Sequence, residues 1–430
     1  MNRRHFVALT LALATSVAMP AFAQAADQPY KGTRLAVLME GHPTTDGIQA
    51  LLPEFTKETG IEVELEVIPE SDITAKMLLE FSSSSGRYDV VQNNIIFIPG
   101  FVKAGYIVPL DDVAAKFPTN YDKADFVPGY LNTNVVDGKL YGLPVYGEST
   151  FLMYRKDIFE QYGITPPKTF AEVVAAAKTV KEKSNGEMVG ITMRGAQGIH
   201  SVYVWAGWLW GYGGEFITKD GKSALATDEA AASLEAFANV LRDYGPVGVA
   251  NFGWEENRVL FQNGKAAMSM DATVNGAFNE DPAISSVVGK VGYVPVPVET
   301  DKLKGGSSSL AVHSLYVASA SQNKEAAWLF ASWATAKEQQ IKSFAIAPNS
   351  GVTSLAALNS DDFNKRYGAF KDAMLASINA GNPQYLPTVD AANEIINNAG
   401  IAVSKVLAGT ATAKDALAEA NTANDAALGR

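Results

Sequence analysis

The hydrophobic pattern near the start of the chain predicts alternating strands and helices. Leu35–Met39 is an uninterrupted apolar run, which is typical of a strand buried on both faces. Between residues 48 and 55 the apolar positions recur at i, i+3, i+4 and i+7, one face of a helix that ends at Gly60. Residues 61–67 alternate between apolar and polar, as in a strand with one wet face. These segments predict a β-α-β unit, and such units build parallel sheets.

The later part of the chain repeats this pattern. Thr169 and Glu172 have the spacing of a capping box, so a helix should begin there. Gly264 separates a predicted helix from a predicted strand, and the segment from Ser354 to Leu428 is predicted to be largely helical. Further strands and helices are predicted at 88–91, 189–193, 254–261, 266–270, 291–298, 315–318 and 324–335. The pattern indicates an α/β fold.

Residues 1–25 predict a cleaved signal peptide. Two arginines precede an apolar segment, Phe6–Met19, and small-x-small cleavage motifs follow it. An apolar segment of this length at the N-terminus is too short to be typical of a membrane span. The arginine pair, Arg3 and Arg4, leaves a twin-arginine signal open as the export route.

The composition narrows the class of protein. The chain has no cysteine, so it can form no disulfide and carry no lipid-modified cysteine, and we expect it to be free in the periplasm. Removing residues 1–25 takes away two arginines and no acidic residue, which changes the net charge from −11 to −13. An acidic chain is not expected to bind nucleic acid or anionic lipid. About 405 residues are too many for one core and suit two lobes.

A Gly/Pro-punctuated stretch in the middle of the chain carries a likeness to a known family. Asp137–Pro144 reads DGKLYGLP, and Tyr154–Gly163 reads YRKDIFEQYG. Both resemble the extracellular solute-binding proteins, family 1, in which the first motif crosses a hinge and the second begins the next lobe. Further similar stretches lie at 51–63, at 88–91 with 105–112, and at 261–268. Because that family serves sugar-importing ABC transporters, the resemblance implies a binding protein of this kind.

The resemblance also implies the architecture, a type II periplasmic binding protein fold with two doubly wound α/β lobes joined by a multi-segment hinge. Gly, Pro and Ser punctuation together with the family pattern predicts crossings between the lobes at Leu143–Val145, within Ser307–Ala311 and near Ala347–Ser350. The predicted N-terminal lobe comprises 31–142 plus 310–347, and the predicted C-terminal lobe comprises 145–306 plus 351–430.

Details of the motifs are closest to mannitol/sorbitol-binding members. Tyr146–Ser149, and Asp271–Val274 with Asn279–Pro282, resemble that subgroup. The chain departs from the family at Ser307–Ser309, where a tryptophan is common, and at Asn349, where an arginine is common. These are positions that usually touch the ligand, so the identity of the sugar does not transfer. The subgroup motif implies Tyr146 as a site residue. The two positions of departure imply Ser307, Ser308 and Asn349.

A sugar or polyol site needs groups that hold hydroxyls and an aromatic surface for C–H faces. Ligands of open α/β sheets bind beyond the carboxyl ends of strands. Four polar residues follow strand-like runs in this way: Asn93, Asn94, Glu148 and Asp271. The alternative is that they cap the helices that follow. For Asp271, which follows residues 266–270, we expect a position facing the cleft.

Tryptophans supply the candidate aromatic surface. Trp205 and Trp208 share one face if their segment is helical, and each is either a stacking surface or a core residue. Trp254 lies in a loop that leads into a helix, where stacking on a ligand is the favoured interpretation.

The loop after the first strand holds two more candidates, His42 and Thr44, because the family resemblance places ligand contacts there. Either side chain could donate a hydrogen bond to a hydroxyl. The alternative is a loop that leads into the helix, with Thr45 or Asp46 as its cap.

Motifs of enzymes and cofactors are missing from the sequence. It contains no H-E-x-x-H, no G-x-S-x-G and no P-loop, and its four histidines, at 5, 42, 200 and 313, are scattered. No metal and no cofactor are therefore predicted. A pair of glycosidase carboxylates remains open.

The leading hypothesis is a monomeric periplasmic protein that binds a sugar or sugar alcohol by hinge closure and docks on an inner-membrane ABC permease. One alternative is a periplasmic carbohydrate-active enzyme, which would turn its ligand over. Another is a polyamine- or metal-binding protein on the same fold, with acidic groups supplied by Trp254–Glu256.

Overall fold

The computed structural model describes Gln28 and residues 30–430 except 84 and 120, so the predicted signal peptide lies outside the described residues. Its strands are β1 (Arg34–Glu40), β2 (Glu62–Ile68), β3 (Val90–Asn94), β4 (Val135–Val136), β5 (Lys139–Leu140), β6 (Gly142–Glu148), β7 (Thr150–Arg155), β8 (Met268–Ala272), β9 (Val291–Pro295), β10 (Ser308–Ser309), β11 (Ala311–Val317) and β12 (Gly381–Asn382).

The helices alternate with these strands. They are α1 (Pro43–Thr59), α2 (Glu70–Ser82), α3 (Ile98–Lys103), α4 (Leu110–Lys116), α5 (Pro128–Asn132), α6 (Lys156–Tyr162), α7 (Phe170–Lys183), α8 (Ile199–Gly211), α9 (Asp228–Tyr244), α10 (Trp254–Gln262), α11 (Asn275–Asn279), α12 (Lys324–Ala334), α13 (Lys337–Ser343), α14 (Leu355–Leu358), α15 (Asp361–Asn379), α16 (Ala392–Leu407) and α17 (Ala413–Ala427). Single 3-10 turns lie at Ile95–Phe97, Lys123–Asp125 and Val249–Asn251. No helix within the described ranges combines the length and apolar character that crossing a bilayer requires.

Five strands form a sheet in the order β2-β1-β3-β11-β6, and we name the half of the molecule built around it lobe N. β1 runs parallel to β2 and β3, which confirms the predicted β-α-β unit, whereas β11 is antiparallel to β3 and β6. Leu35, Val37 and Met39 pack in one hydrophobic core, and Leu38 packs in another. The two faces of β1 are therefore both buried, as the continuous apolar run indicates.

Three strands form a second, antiparallel sheet in the order β8-β7-β9, and the half around it is lobe C. Its core contains α8, which is buried on all sides over Ser201–Gly211. Helices α9 and α16 pack against α8, and α17 packs against both of them. A helix that is apolar all round is expected at the centre of a lobe rather than at its surface.

The chain passes between the two sheets at three places. β6 remains paired with β11 through Glu148, so the first passage is Ser149, which places the predicted crossing Leu143–Val145 inside the sheet of lobe N. The second passage is Leu310, between β10 and β11, within the predicted segment.

The third passage follows α14, later in the chain than the segment near Ala347–Ser350. The backbone of residues 351–354 still bonds to lobe N, where Gly351 accepts from Gly147 and Thr353 accepts from Val127. α15 then packs on β7 and β9 of lobe C. We therefore place residues 351–354 with lobe N, and the lobe boundaries are otherwise still predictions.

Local signals located most elements within a few residues. Thr169 and Glu172 form the predicted capping box, and Gly60 ends α1 in the left-handed conformation. The prediction of a strand at 189–193 is wrong. The segment makes isolated parallel bridges, Val189 with Ala266 and Thr192 with Ser269, and not a continuous ladder. An extended apolar segment can pack in a core without completing a ladder.

Candidate functional site

A cleft between the two lobes encloses a cavity of about 50 Å³. Its lobe N wall includes Glu40 and Asn94, the last residues of β1 and β3, and its lobe C wall includes Arg194, Tyr203 and Trp254. The carboxyl ends of parallel strands are where open α/β sheets bind ligands.

Four rings are stacked across this cleft. Tyr146 lies between His42 and His313, with centroid distances of 3.9 and 4.4 Å and interplanar angles of 7° and 15°. The ring of Trp254 is also stacked with His42, with a centroid distance of 6.3 Å and an angle of 26°. Because the first three rings belong to lobe N and Trp254 belongs to lobe C, the stack joins the two walls.

His42 is the cap of α1, which corrects the expectation that Thr45 or Asp46 has this role. Its Nδ1 accepts a hydrogen bond from the backbone N–H of Thr44 at 3.2 Å. The proton of the neutral ring is therefore on Nε2, which donates to Glu148 Oε1 at 3.1 Å. The two hydrogen bonds fix the orientation of the imidazole in the wall of the cleft.

Glu40 connects the groups on the other side of Tyr146. The Tyr146 hydroxyl donates to the Glu40 carboxylate, and Nδ1 of His313 lies 3.1 Å from Glu40 Oε1. Asn94 Nδ2 lies 3.0 Å from the other ring nitrogen of His313. Burial would lower the pKa of His313, but the charge and hydrogen bond of Glu40 together with the charges of Glu70 and Glu148 outweigh it, so this pKa is raised. Among the described residues, no three His, Cys, Asp or Glu side chains come together as metal ligands.

Asp271 does not face the cleft, which corrects the expectation from its position after an apolar run. It has no exposed surface and accepts from Arg194 Nε and Nη2 at 3.0 and 2.5 Å. The backbone N–H of Ala272 and the side-chain amide of Asn257 also donate to it. Asp271 is therefore the buried counter-ion that positions Arg194. Nη1 of Arg194 has no hydrogen-bond partner in the described part of the chain and is available to a ligand.

Trp254 begins α10 and lines the cleft. Its Nε1 donates to Asn275 Oδ1 at 2.8 Å, and the guanidinium of Arg258 lies 5.1 Å from the ring centroid. The hydrogen bond holds the edge of the indole, Arg258 lies over its ring, and His42 is stacked against it.

The two acidic residues after Trp254 do not line the cleft. Glu256 accepts from the backbone N–H of Gly253 at 2.9 Å, and Glu255 lies 3.8 Å from Arg258. Both side chains are exposed at the start of α10. They are not the cleft carboxylates that the polyamine alternative needed.

Trp205 and Trp208 are core residues, which corrects their choice as stacking candidates. Both are fully buried in α8. Trp205 Nε1 donates to Ser233 Oγ at 3.1 Å, and Trp208 is stacked on Phe170 at 4.0 Å. Neither ring offers a face to the cleft.

Three polar candidates lie behind the cleft wall. Asn93 exchanges hydrogen bonds with Thr74 of α2 at 3.2 and 3.3 Å. The hydroxyl of Thr44 donates to Asn349 Oδ1 at 3.2 Å, and the backbone N–H of Gly351 donates to the same oxygen. These residues tie helices and loops of lobe N together, and none of them lines the cleft.

Ser307 and Ser308 are buried at the second passage between the lobes and do not line the cleft either. Ser308 belongs to β10, which pairs with β12. The next residue, Ser309, lies with its hydroxyl 2.9 Å from that of Tyr203. The serines 307–309 therefore form the second passage between the lobes and are not part of the cleft wall.

Sequence reasoning missed several side chains of the wall, including Glu40, Arg194 and His313. Glu40 directly follows the apolar run 35–39, and Arg194 directly follows 189–193. This is the same signal that selected Asn93, Asn94, Glu148 and Asp271, so both could have been found. His313 lies inside β11, where the local pattern does not distinguish it from a core position.

Comparisons with known proteins agree with this geometry. Residues 41–341 match the family described as bacterial extracellular solute-binding protein. A mannitol-binding protein of Pseudomonas aeruginosa is 28% identical over 281 residues, which cover 64% of this chain and 63% of that protein.

Two solved structures are similar over most of their length. A solute-binding protein of Agrobacterium vitis with bound D-mannitol has a TM-score of 0.84 and 28% identity, and covers 92% of this chain and 98% of its own. One from Agrobacterium radiobacter in complex with ribitol has a TM-score of 0.86 and 26% identity, and covers 92% and 99%.

Proposed function

The chain belongs to the bacterial extracellular solute-binding protein family and has the two-lobed type II periplasmic binding fold, and from this premise we propose that it captures a small sugar alcohol between its lobes. It then delivers the ligand to the membrane permease of an ABC importer. The protein acts as a monomer in the periplasm. It binds its ligand and does not convert it.

The observation that carries this proposal is the composition of the cleft wall. One space is lined by the ring of Trp254 and by hydrogen-bonding side chains from both lobes, among them Glu148 and Arg194. A sugar alcohol presents C–H faces and rows of hydroxyls, which such a wall can hold from two sides. The mannitol- and ribitol-bound relatives support this ligand class.

Contacts from both lobes imply how binding moves the molecule. A ligand favours the closed state only through interactions that the open state lacks. Trp254 reaches the ligand from lobe C, and Glu148 with His42 reaches it from lobe N. The ligand therefore bridges the lobes, and the closed form is the one that docks on the permease.

The test is a thermal-shift screen of purified protein from which residues 1–25 are absent, followed by calorimetry. The panel contains D-mannitol, ribitol and erythritol, with maltose and spermidine as the disaccharide and polyamine arms. A ligand at about a hundred times its Kd stabilises the protein by about 2.7 kcal/mol, so a sugar alcohol should raise the Tm clearly. A shift with spermidine or maltose alone would contradict the proposal.

The enzyme alternative has its own readout. After prolonged incubation with a bound sugar alcohol, the ligand is recovered by denaturing the protein and is analysed by chromatography. We expect it unchanged. Conversion that scales with protein concentration would identify a catalyst instead.

A further inference from the structure

We propose that the cleft selects sugar alcohols against the sugar acids of the same carbon chain, and that Glu70 is the residue that sets this charge selectivity. The inference rests on the proposed function and adds a ligand property that it leaves open. It follows from which charged groups face the cleft and which of them are already paired.

Carboxylates dominate the cleft wall. Glu40, Glu70 and Glu148 line it. Among the described residues, Arg194 is the arginine or lysine that lines the cleft. The charge of Arg194 is matched by Asp271 directly behind it. Among the lining groups, before any histidine charge is counted, the carboxylates therefore outnumber Arg194 three to one.

One more histidine lies close to this set. The charges of Glu70, Arg194 and Asp271 all act on His200. Burial first, and then the neighbouring Arg194, lower the pKa of His200. It therefore stays neutral at neutral pH and does not offset the carboxylates.

Glu70 differs from the other two glutamates because it is unpaired. Glu40 bonds to Tyr146, and Glu148 bonds to His42. The carboxylate of Glu70 has no hydrogen bond or ion pair to a described residue. It lies in the first turn of α2, half-buried, where the positive end of the helix favours a negative charge.

The charge of Glu70 acts across the cleft. It is felt by His313 in lobe N and by Arg194 and His200 in lobe C. A ligand between the lobes must therefore lie within the same field. A neutral hydroxyl can donate to Glu70, a carboxylate of the ligand would be repelled by it, and an ammonium group would be attracted.

The experiment uses ligands that differ only at one end of the chain. Binding of D-mannitol, D-mannonate and 1-amino-1-deoxy-D-mannitol is measured by calorimetry with the wild-type protein and with Glu70→Gln. Ribitol and D-ribonate form a second matched pair. Glu64→Gln is the control variant, because it removes one negative charge from the exposed side of β2 in the same lobe.

We expect the wild type to bind mannonate at least about a hundredfold more weakly than mannitol. Glu70→Gln should strengthen mannonate and weaken the amine by about tenfold each relative to mannitol, since an uncompensated charge is removed from both pairs. Shifts of opposite sign from one substitution cannot arise from general damage to the site. Glu64→Gln should leave all the ratios unchanged.

Two results would overturn this inference and leave the proposed function standing. One is equal wild-type affinities for mannitol and mannonate. The other is affinity ratios between the ligands that change no more in Glu70→Gln than in Glu64→Gln. If none of the polyols binds, the proposed function fails together with it. The outcomes are therefore distinguishable.

Discussion

At the scale of single residues, Arg194 is placed over the cleft by a carboxylate that has no exposed surface. Replacing Asp271 by Asn leaves the guanidinium buried beside a neutral amide. Removing one partner of a buried ion pair costs about 3–5 kcal/mol. We expect Asp271→Asn to lower the free energy of unfolding by about this amount in urea titrations of the ligand-free protein.

The control for Asp271→Asn is Asp301→Asn, the same chemical change at an exposed position. That variant should leave the unfolding curve unchanged. An Asp271→Asn protein as stable as the wild type would show that the ion pair with Arg194 does not hold the site together.

The indole of Trp254 has two separable roles in the site. Its ring faces His42, and its Nε1 bonds to Asn275. Trp254→Ala should weaken mannitol binding by about 1.5–3 kcal/mol, whereas Trp254→Phe keeps a ring and should lose less than half of that. Calorimetry measures the affinity of each variant for mannitol. Equal affinities in the two variants would mean that the ring face does not contact the ligand.

His313 should make stability depend on pH. Burial lowers its pKa, but Glu40, with Glu70 and Glu148 adding to the effect, raises it above 6.5 in the folded protein. The folded state then binds more protons than the unfolded state, so this stabilisation is complete below pH 6.5 and is lost as the pH rises through the raised pKa. His313→Asn should remove that part of the pH dependence.

The measurement for His313 is the difference in unfolding free energy between wild type and His313→Asn across this pH range. His200, whose lowered pKa gives the opposite slope, is present in both proteins and cancels. A difference that stays constant with pH would contradict the assignment to His313.

The sequence predicted correctly which polar residues lie at strand ends. It did not predict whether their side chains face the cleft or the core. A polar residue after an apolar run marks the edge of a sheet, which brought Asn94 and Glu148 to the cleft. Whether the side chain points to the cleft or the core depends on the twist and partners of the strand. Asp271 and Asn93 follow the same signal and point into the protein.

At the scale of elements, local sequence located helices and strands, but not the contacts that link the lobes. The 3-10 turn Ile95–Phe97 follows β3 of lobe N, yet Ile96 packs in the hydrophobic core of lobe C. Its neighbours there come from residues almost 300 positions later, such as Leu386. Nothing in the local pattern could have predicted this contact.

Opening of the cleft would expose Ile96 to water, so its burial stabilises the closed form. Ile96→Ser should weaken mannitol binding by about tenfold without a ligand contact being lost, because Ile96 does not line the cleft. Calorimetry gives the affinity. Ile284→Ser, at an exposed isoleucine, is the control. Unchanged affinity in Ile96→Ser would mean that this contact persists in the open form.

At the scale of the whole molecule, the chain joins the two lobes at three passages, Ser149, Leu310 and after α14, and we expect the hinge there. Lys103 of α3 in lobe N forms an ion pair with Asp390, which precedes α16 of lobe C. This pair joins the lobes away from the passages. It should therefore separate when the cleft opens and form when a ligand closes it.

The absence of cysteine from the chain makes this motion measurable. In a Lys103→Cys, Asp390→Cys variant the two thiols are unique, and a short bis-maleimide should link them faster in mannitol than in buffer. The matched control is Lys405→Cys, Glu419→Cys, an ion pair between α16 and α17 within lobe C, which should be linked at the same rate in both conditions. If mannitol binds but leaves the ratio of the two rates unchanged, capture does not proceed by closure of the lobes.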